Sequence, residues 1–450
     1  MKTSRLFAAA LALLLSLAAC APAPQPLPEP DLLPRGTPLR LVTATDLHFL
    51  DPAIVREGEA FTAAYAYGDG KQLNYGAQLV DVFLGEMLAE RPAAVLLTGD
   101  LTLNGERASH LELARRLRAL PEAGIPVLVI PGNHDIQNAF SSGYNRDKLY
   151  DVRSVTWQEF GEIYRELGYG GAAARDEASL SYTWHLSEDL WLILLDTNLY
   201  DREGARSIPQ NAGALSPNTL RWVEGQLQEA RRQGAEVITA THHSLLDHTS
   251  RGMAGYVLEN AEELLDLCRR YDVRLNLSGH VHIQDIAKEG GLYDIATSSY
   301  VVYTNQYGVL DYLPGERIDY HTREADVEAW ARETGSRDPN LLGFEEYSYQ
   351  FFYEISKERS YASLYMAQLN KDADLELMSE TMATLNPAYF SGYAAQLREE
   401  VRASDSYAMW RKHSGFAPIG YINSMLAERE VDPRKVSISL GGTVGKQGGG

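Results

Sequence analysis

From residue 39 onward, short aliphatic runs alternate with longer amphipathic segments. LRLVTAT (39–45), AAVLLT (93–98), VLVI (127–130), LWLILL (190–195), EVITAT (236–241) and VRLNLS (273–278) are rich in Val, Ile, Leu and Thr. That is the pattern of strands covered on both faces. Between them, QLVDVFLGEMLAE (78–90), RASHLELARRLRALPEAG (107–124) and PNTLRWVEGQLQEARRQG (217–234) repeat apolar residues at spacings of three and four, and the last two stop at glycine. These predict helices. Strand and helix in turn give an α/β sandwich, and the further strand-like runs SLSYTWHL (179–186), GLYDIAT (291–297) and SYVVYT (299–304) make two sheets the expectation.

After about residue 312 the pattern changes. From Asp326 to about Glu430 the chain is rich in Tyr, Phe and helix formers, with no further apolar run, which predicts a mainly helical C-terminal domain. The last residues, GGTVGKQGGG, have nothing to bury and predict a flexible tail. The expected boundaries are 39–315 for the α/β domain, 316–435 for the helical domain and 436–450 for the tail.

The first 38 residues belong to neither domain. Lys2 and Arg5 precede LFAAALALLLSLAA, an apolar run too short to span a bilayer comfortably, so residues 1–19 read as a signal peptide. Leu17-Ala18-Ala19-Cys20 resembles the bacterial lipobox, which predicts a lipidated Cys20, a membrane anchor and an exported, cell-envelope lipoprotein. The proline-rich segment that follows, to residue 38, reads as a spacer. With Cys20 used as an anchor only Cys268 remains, so the mature chain has no intramolecular disulfide. The formal charge is −20, which argues against duplex nucleic acid as a partner.

Five of the aliphatic runs stop at polar side chains that bind metals. They lead to Asp46-Leu47-His48, Gly99-Asp100, Gly132-Asn133-His134-Asp135, His242-His243 and Gly279-His280-Val281-His282. If these strands run parallel, all five groups lie at one edge of the sheets, where α/β folds bind ligands. At a rise of about 3.3 Å per residue, Asp46 with His48 and His280 with His282 face the same side. Each motif alone is weak; five in order, holding six of the 11 histidines, carry the inference.

The order D-x-H, G-D, G-N-H-D, H-H, G-H-x-H resembles the calcineurin-like metallophosphoesterase superfamily over roughly residues 39–310. The resemblance implies a two-sheet α/β sandwich with a binuclear metal centre. It implies that Asp46, His48, Asp100 and His282 hold one ion, and Asp100, Asn133, His242 and His280 the other. It also implies a hydroxide shared between two transition-metal ions, with Fe, Mn, Zn and Ni all suited to these donors. His134 would act as a catalytic acid, and Asp135 would either raise the pKa of His134 or order its loop. His243 stays open between a substrate contact and a supporting role.

Departures from sister patterns narrow the activity. Protein Ser/Thr phosphatases carry arginines where this chain has Asn104 and Pro131, and purple acid phosphatases a tyrosine where it has Leu103. The lipobox, this α/β half and a helical C-terminal domain together resemble bacterial secreted cyclic-nucleotide phosphodiesterases. The expected activity is hydrolysis of a small phosphodiester, a 3′,5′-cyclic nucleotide first. The alternatives are a phosphomonoesterase or nucleotidase of the same superfamily, and an inactive lipid-anchored binding protein. Segments 65–76 and 298–308 are candidate walls of the substrate pocket.

Overall fold

A computed structural model describes residues 32–66, 68–201, 205–249, 254–367, 372–413 and 418–441. The signal peptide, Cys20 and the spacer as far as residue 31 lie outside the described residues, as does the tail beyond residue 441.

Two large sheets form the α/β part. The first runs, edge to edge, Lys435–Ser439, Arg317–Glu324, Gln306–Leu313, Leu39–Ala44, Ala94–Thr98 and Val127–Ile130. The second runs Asp285–Glu289, Leu292–Ala296, Leu275–Ser278, Glu236–Thr241, Leu190–Leu195, Tyr182–Ser187 and Ala174–Arg175. Strands 39–44, 94–98 and 127–130 are mutually parallel. So are 190–195, 236–241, 275–278 and 292–296. Every strand that precedes a metal-binding motif therefore ends on the same side as its parallel neighbours.

Alternation along a strand divides the core. Leu192 and Leu194 join Leu41, Leu96 and Leu128 of the other sheet in one apolar cluster. Ile193 and Leu195 face the opposite way, packing with Val223 and Leu227 of helix Pro217–Gln233 and with Leu264 and Cys268 of helix Ala261–Tyr271. Both faces of the strand are thus buried, as a continuous aliphatic run requires. The result is the expected two-sheet α/β sandwich covered by helices.

Helices Phe344–Met366, Asp372–Phe390 and Asp405–Lys412 supply the C-terminal helical region. Its apolar cluster, around Trp410, Met378, Leu385 and Ile422, also takes in Val281, Ile283 and Ala296. Val281 lies between His280 and His282, so this region packs directly beneath one metal-binding loop. The described residues from Leu32 onward make one compact unit. No helix among the described residues is long and apolar enough to cross a membrane.

Three expectations are corrected. SYVVYT is not a strand: Tyr300 N–H donates to Thr45 O (3.1 Å) and Val302 N–H to Ser299 O (3.1 Å), so its donors go to a distant loop carbonyl and a local turn while Tyr300, Val301 and Val302 fill the core. Residues 435–439, placed across the expected boundary with the flexible tail, form an edge strand in which Ile438 opposes Ile318. Two apolar residues at alternate positions suffice there because a partner strand is already in place. Leu33 and Arg35, expected within the spacer, are docked: Leu33 N–H donates to Leu186 O (3.3 Å), and the Arg35 guanidinium donates to Gly234 O (2.7 Å) and Gln233 O (2.8 Å).

Beneath the second sheet, buried His248 stands between two carboxylates. Its Nδ1 is 3.0 Å from Asp285 Oδ2 and its Nε2 3.3 Å from Asp294 Oδ2. Burial lowers its pKa, but the two acids outweigh burial and raise it to about 9. The folded value exceeds the ordinary one, so this stabilisation is complete below about pH 6.5 and is lost as pH rises through about 9. The unfolding free energy of wild type minus that of His248→Gln, measured in denaturant, should therefore shrink between about pH 6 and pH 9.5. A constant difference would show that His248 is neutral throughout.

Candidate metal centre

The parallel strands bring all seven expected ligands to one rim. Loop-to-loop hydrogen bonds lock their relative positions. Asp46 N–H donates to Gly99 O (3.0 Å), His48 N–H to Asp100 O (2.9 Å) and Gly279 N–H to His242 O (3.0 Å). His280 N–H donates to Asp46 Oδ2 (3.0 Å), and the Ser299 hydroxyl holds Asp46 O (2.8 Å). The turns are tight enough that a Cβ on Gly132 would collide with the Asp100 amide and carboxylate, so only glycine fits there.

Two donor groups share Asp100. Asp46, His48, Asp100 and His282 can each bring a ligand atom within 4.8 Å of the others, and so can Asp100, His242 and His280. His48 Nε2 is 3.8 Å from Asp100 Oδ2, whereas His242 Nε2 is 3.5 Å from Asp100 Oδ1. The two carboxylate oxygens thus turn toward different groups. His282 Nε2 lies 3.3 Å from Asp46 Oδ1 and 3.1 Å from His48 Nε2. Asn133 Oδ1 is 3.1 Å from His242 Nε2, which adds an amide oxygen to the second group.

Three observations fit these donors to cations. His242 Nδ1 lies 2.9 Å from Thr98 O and His280 Nε2 3.0 Å from Asn211 O, so each ring donates its proton outward and turns its other nitrogen inward. Among the described residues, His280 Nδ1 and Asp46 Oδ1 are buried with no hydrogen-bond partner, although His282 Nε2 approaches Asp46 Oδ1 to 3.3 Å, an arrangement that is costly unless a ligand completes it. Asp46, His48, Asp100, His280 and His282 all have left-handed backbones, with φ of 51°, 39°, 47°, 68° and 58°. Each such residue costs about 1–3 kcal/mol, a cost found where a site dictates side-chain direction.

The electrostatics agree. Burial raises the Asp100 carboxyl, but His242 and His134 beside it outweigh burial and hold it well below the carboxylate range. Burial lowers the His242 imidazole, yet Asp100 and Asp46 raise it to about 9. The carboxylates draw a proton to a place where a metal cation would serve as well, and cation binding would release that proton. Oxygen and imidazole donors without thiolate suit divalent metal ions.

His134 sits at this rim without joining either donor group. Its N–H donates to Asp100 Oδ1 (2.9 Å), its ring lies 5.3 Å from that of His48, and its Nδ1 is 2.9 Å from Leu103 O and 3.1 Å from Asn104 Oδ1. Two acceptors at Nδ1 place the ring proton there. Asp135 does not meet the His134 ring, which corrects the expectation that it tunes that imidazole. Its Oδ2 accepts from Leu101 N–H (3.0 Å) and Gly132 N–H (2.8 Å), and its Oδ1 from Thr102 N–H (2.9 Å) and the Thr102 hydroxyl (2.9 Å). It clamps the Gly99-Asp100 loop to the Gly132-Asn133-His134 loop. His243 turns to the Thr197 hydroxyl (2.8 Å) and packs on the His280 ring, 4.5 Å between centroids, so it supports a ligand. His110, left unassigned from sequence, braces the Asp135 carbonyl (2.9 Å).

A two-sheet sandwich with a rim of buried carboxylates and imidazoles is built to hold divalent cations. The profile of calcineurin-like phosphoesterases matches residues 39–284, over half of the chain, and the chain belongs to that family. Residues 326–432 match the profile described as the C-terminal domain of cyclic nucleotide phosphodiesterase. Among curated relatives, a probable cyclic nucleotide phosphodiesterase of Rhodococcus erythropolis is 25% identical, aligned over 58% of this chain and 72% of its own length. The glycerophosphodiester phosphodiesterase GpdQ of Enterobacter lignolyticus is 29% identical over 43% of this chain and 58% of its own. A cAMP/cGMP dual specificity phosphodiesterase of Mycobacterium tuberculosis is 27% identical over 53% and 66%. The alignment thus spans less than two thirds of the last two relatives.

The clamp and the rim histidine should separate in mutants. Asp135→Ala leaves three buried N–H groups and a hydroxyl without their acceptor, and unfolding of the metal-free protein in denaturant should show a loss of about 3–5 kcal/mol. His134→Ala should cost less than about 1 kcal/mol. Equal losses would mean that Asp135 is no clamp.

Proposed function

We propose that this protein hydrolyses a small phosphodiester, a 3′,5′-cyclic nucleotide being the favoured substrate class, at a centre holding two metal ions. The observation that carries the two-ion reading is the split of Asp100, whose oxygens face separate histidine groups. Asp46, His48 and His282 would complete one ion's ligands, and Asn133, His242 and His280 the other's. Such a pair supplies a water-derived nucleophile near neutral pH and withdraws charge from the phosphoryl oxygens.

The protein's own groups do the rest. Leu103 O fixes the His134 proton on Nδ1, so Nε2 is the nitrogen that gains and gives up the exchangeable proton, here to the departing alkoxide. The parallel strand ends hold all donors on rigid backbone, which lowers the reorganisation needed as the phosphoryl group changes shape. The cyclic-nucleotide preference is supported by the match of residues 326–432 and by the names of two relatives. The GpdQ relative supports a second reading, a glycerophosphodiester.

A panel of cyclic nucleotides, glycerophosphodiesters and phosphomonoesters, run with metal analysis, tests this. Diesters should exceed monoesters in kcat/KM by at least about tenfold. A monoester preference would end the diesterase reading. Asp100→Asn should lose both turnover and bound metal, while His134→Ala should keep its metal and lose roughly 10²- to 10⁴-fold in kcat. Near-normal turnover in His134→Ala would remove it from catalysis.

A further inference from the structure

Residues 68–75 reach the rim from a direction that the five motifs do not reveal. Lys71, within this segment, is 8% exposed. Its Nζ has no hydrogen-bond acceptor among the described residues, and its nearest carboxylate is Asp69 Oδ2 at 4.0 Å. Asp69 is half exposed and also pairs with Arg359, so its charge is shared. The charges that act on Lys71 are instead Asp100 and Asp46, and Lys71 in turn acts on His48 and His134. The Gln72 N–H bond to Val301 O, two residues from the Ser299 hydroxyl that holds Asp46 O, brings this segment to the rim, and Lys71 lies within electrostatic reach of Asp100, Asp46, His48 and His134.

The segment is held from outside. Gln72 N–H donates to Val301 O (2.8 Å), which ties it to the turn that carries Ser299 and so to Asp46. Asn305 Nδ2 donates to Gln72 Oε1 (2.8 Å), and C-terminal helices supply further anchors. The Gln72 amide donates to the Ser348 hydroxyl, Asn74 Nδ2 to the Tyr347 hydroxyl (3.0 Å) and the Tyr75 hydroxyl to Asp338 Oδ2 (3.0 Å). Gly70, at φ 81°, lies so close to the Phe352 ring that a Cβ would strike it.

A largely buried ammonium whose one close carboxylate is exposed and shared with Arg359 is poorly compensated. Asp46 and Asp100 offset this only while unligated: divalent ions bring more positive charge than the two carboxylates remove, and Lys71 then faces a positive centre. An anion bound over the ions restores the balance. We propose that Lys71 contacts the substrate directly, its ammonium donating to a non-bridging oxygen of the phosphoryl group. It supplies the cation for which Asn104 and Pro131 offer no substitute. This rests on the phosphoesterase reading of the same centre.

The test compares metal-loaded wild type, Lys71→Met and Lys71→Arg. It measures binding of inorganic phosphate by calorimetry, metal content, thermal unfolding, and kcat and KM on bis(p-nitrophenyl) phosphate. Lys71→Met should bind phosphate roughly tenfold to a hundredfold more weakly, the effect of losing one charge-assisted hydrogen bond, with metal content unchanged and the melting temperature not lowered. Lys71→Arg should recover most of that affinity. Wild-type phosphate affinity in Lys71→Met overturns the proposal, and so does a loss of metal in that variant, which would make Lys71 only a counter-charge for Asp46 and Asp100. If wild type cleaves no ester while its phosphate binding still depends on Lys71, the hydrolase reading falls and the contact stands.

Discussion

Two fully buried carboxylates, Asp46 and Asp100, lie within electrostatic reach of each other, and much of the molecule answers the need to keep both ionised. Burial and mutual repulsion each favour protonation. Against them stand the imidazoles of His48, His242 and His282, the backbone N–H groups of His134 and His280, and the hydroxyl of Thr45. Neutral donors of this kind do not cancel two buried charges, which is why His242 takes up a proton when nothing better is present. A centre built this way has a standing demand for cations, and His280 Nδ1, buried with no hydrogen-bond partner among the described residues, is where the demand is most local.

Meeting that demand requires side chains from five separate loops to hold fixed directions. Loops alone are too mobile for this; strand ends buried on both faces are not. The cost appears in five left-handed backbones, which persist only because neighbouring hydrogen bonds over-determine them. Asp135 is part of that cost. Its carboxylate is fully used in joining two ligand loops, so a residue adjacent to His134 in sequence serves Asp100 in space.

The strand ends and their ligands were legible in the sequence because both leave local marks: an aliphatic run, then a turn residue, then a donor. Leu192 against Ile193 shows the same alternation carried into packing. What was not legible depends on tertiary partners. SYVVYT has strand composition, yet Tyr300 bonds to Thr45 O and Val302 closes a turn on Ser299, whose hydroxyl holds Asp46 O. The Lys435–Ser439 strand is too short and polar to stand out without Arg317–Glu324 beside it. His248 carries no motif, and its charge comes from Asp285 and Asp294, each remote in sequence. Asp135 was read from its neighbour in the chain, whereas its donors come from Leu101, Thr102 and Gly132.

The C-terminal helices acquire a physical role from the same reasoning. They contribute none of the expected ligands, but they touch the centre from two directions. Val281, wedged between His280 and His282, is embedded in their core, so repacking around Met378 or Trp410 is transmitted to a ligand loop. Ser348, Tyr347 and Asp338 hold residues 72, 74 and 75, directly after Lys71 in the chain. An α/β half with the same five motifs but without these helices would keep its donor residues and lose the packing around Val281 and these anchors of residues 72–75. The C-terminal helices therefore bear both on one ligand loop and on the segment that carries Lys71, and differences in substrate among proteins sharing these motifs can arise without any change in a ligand.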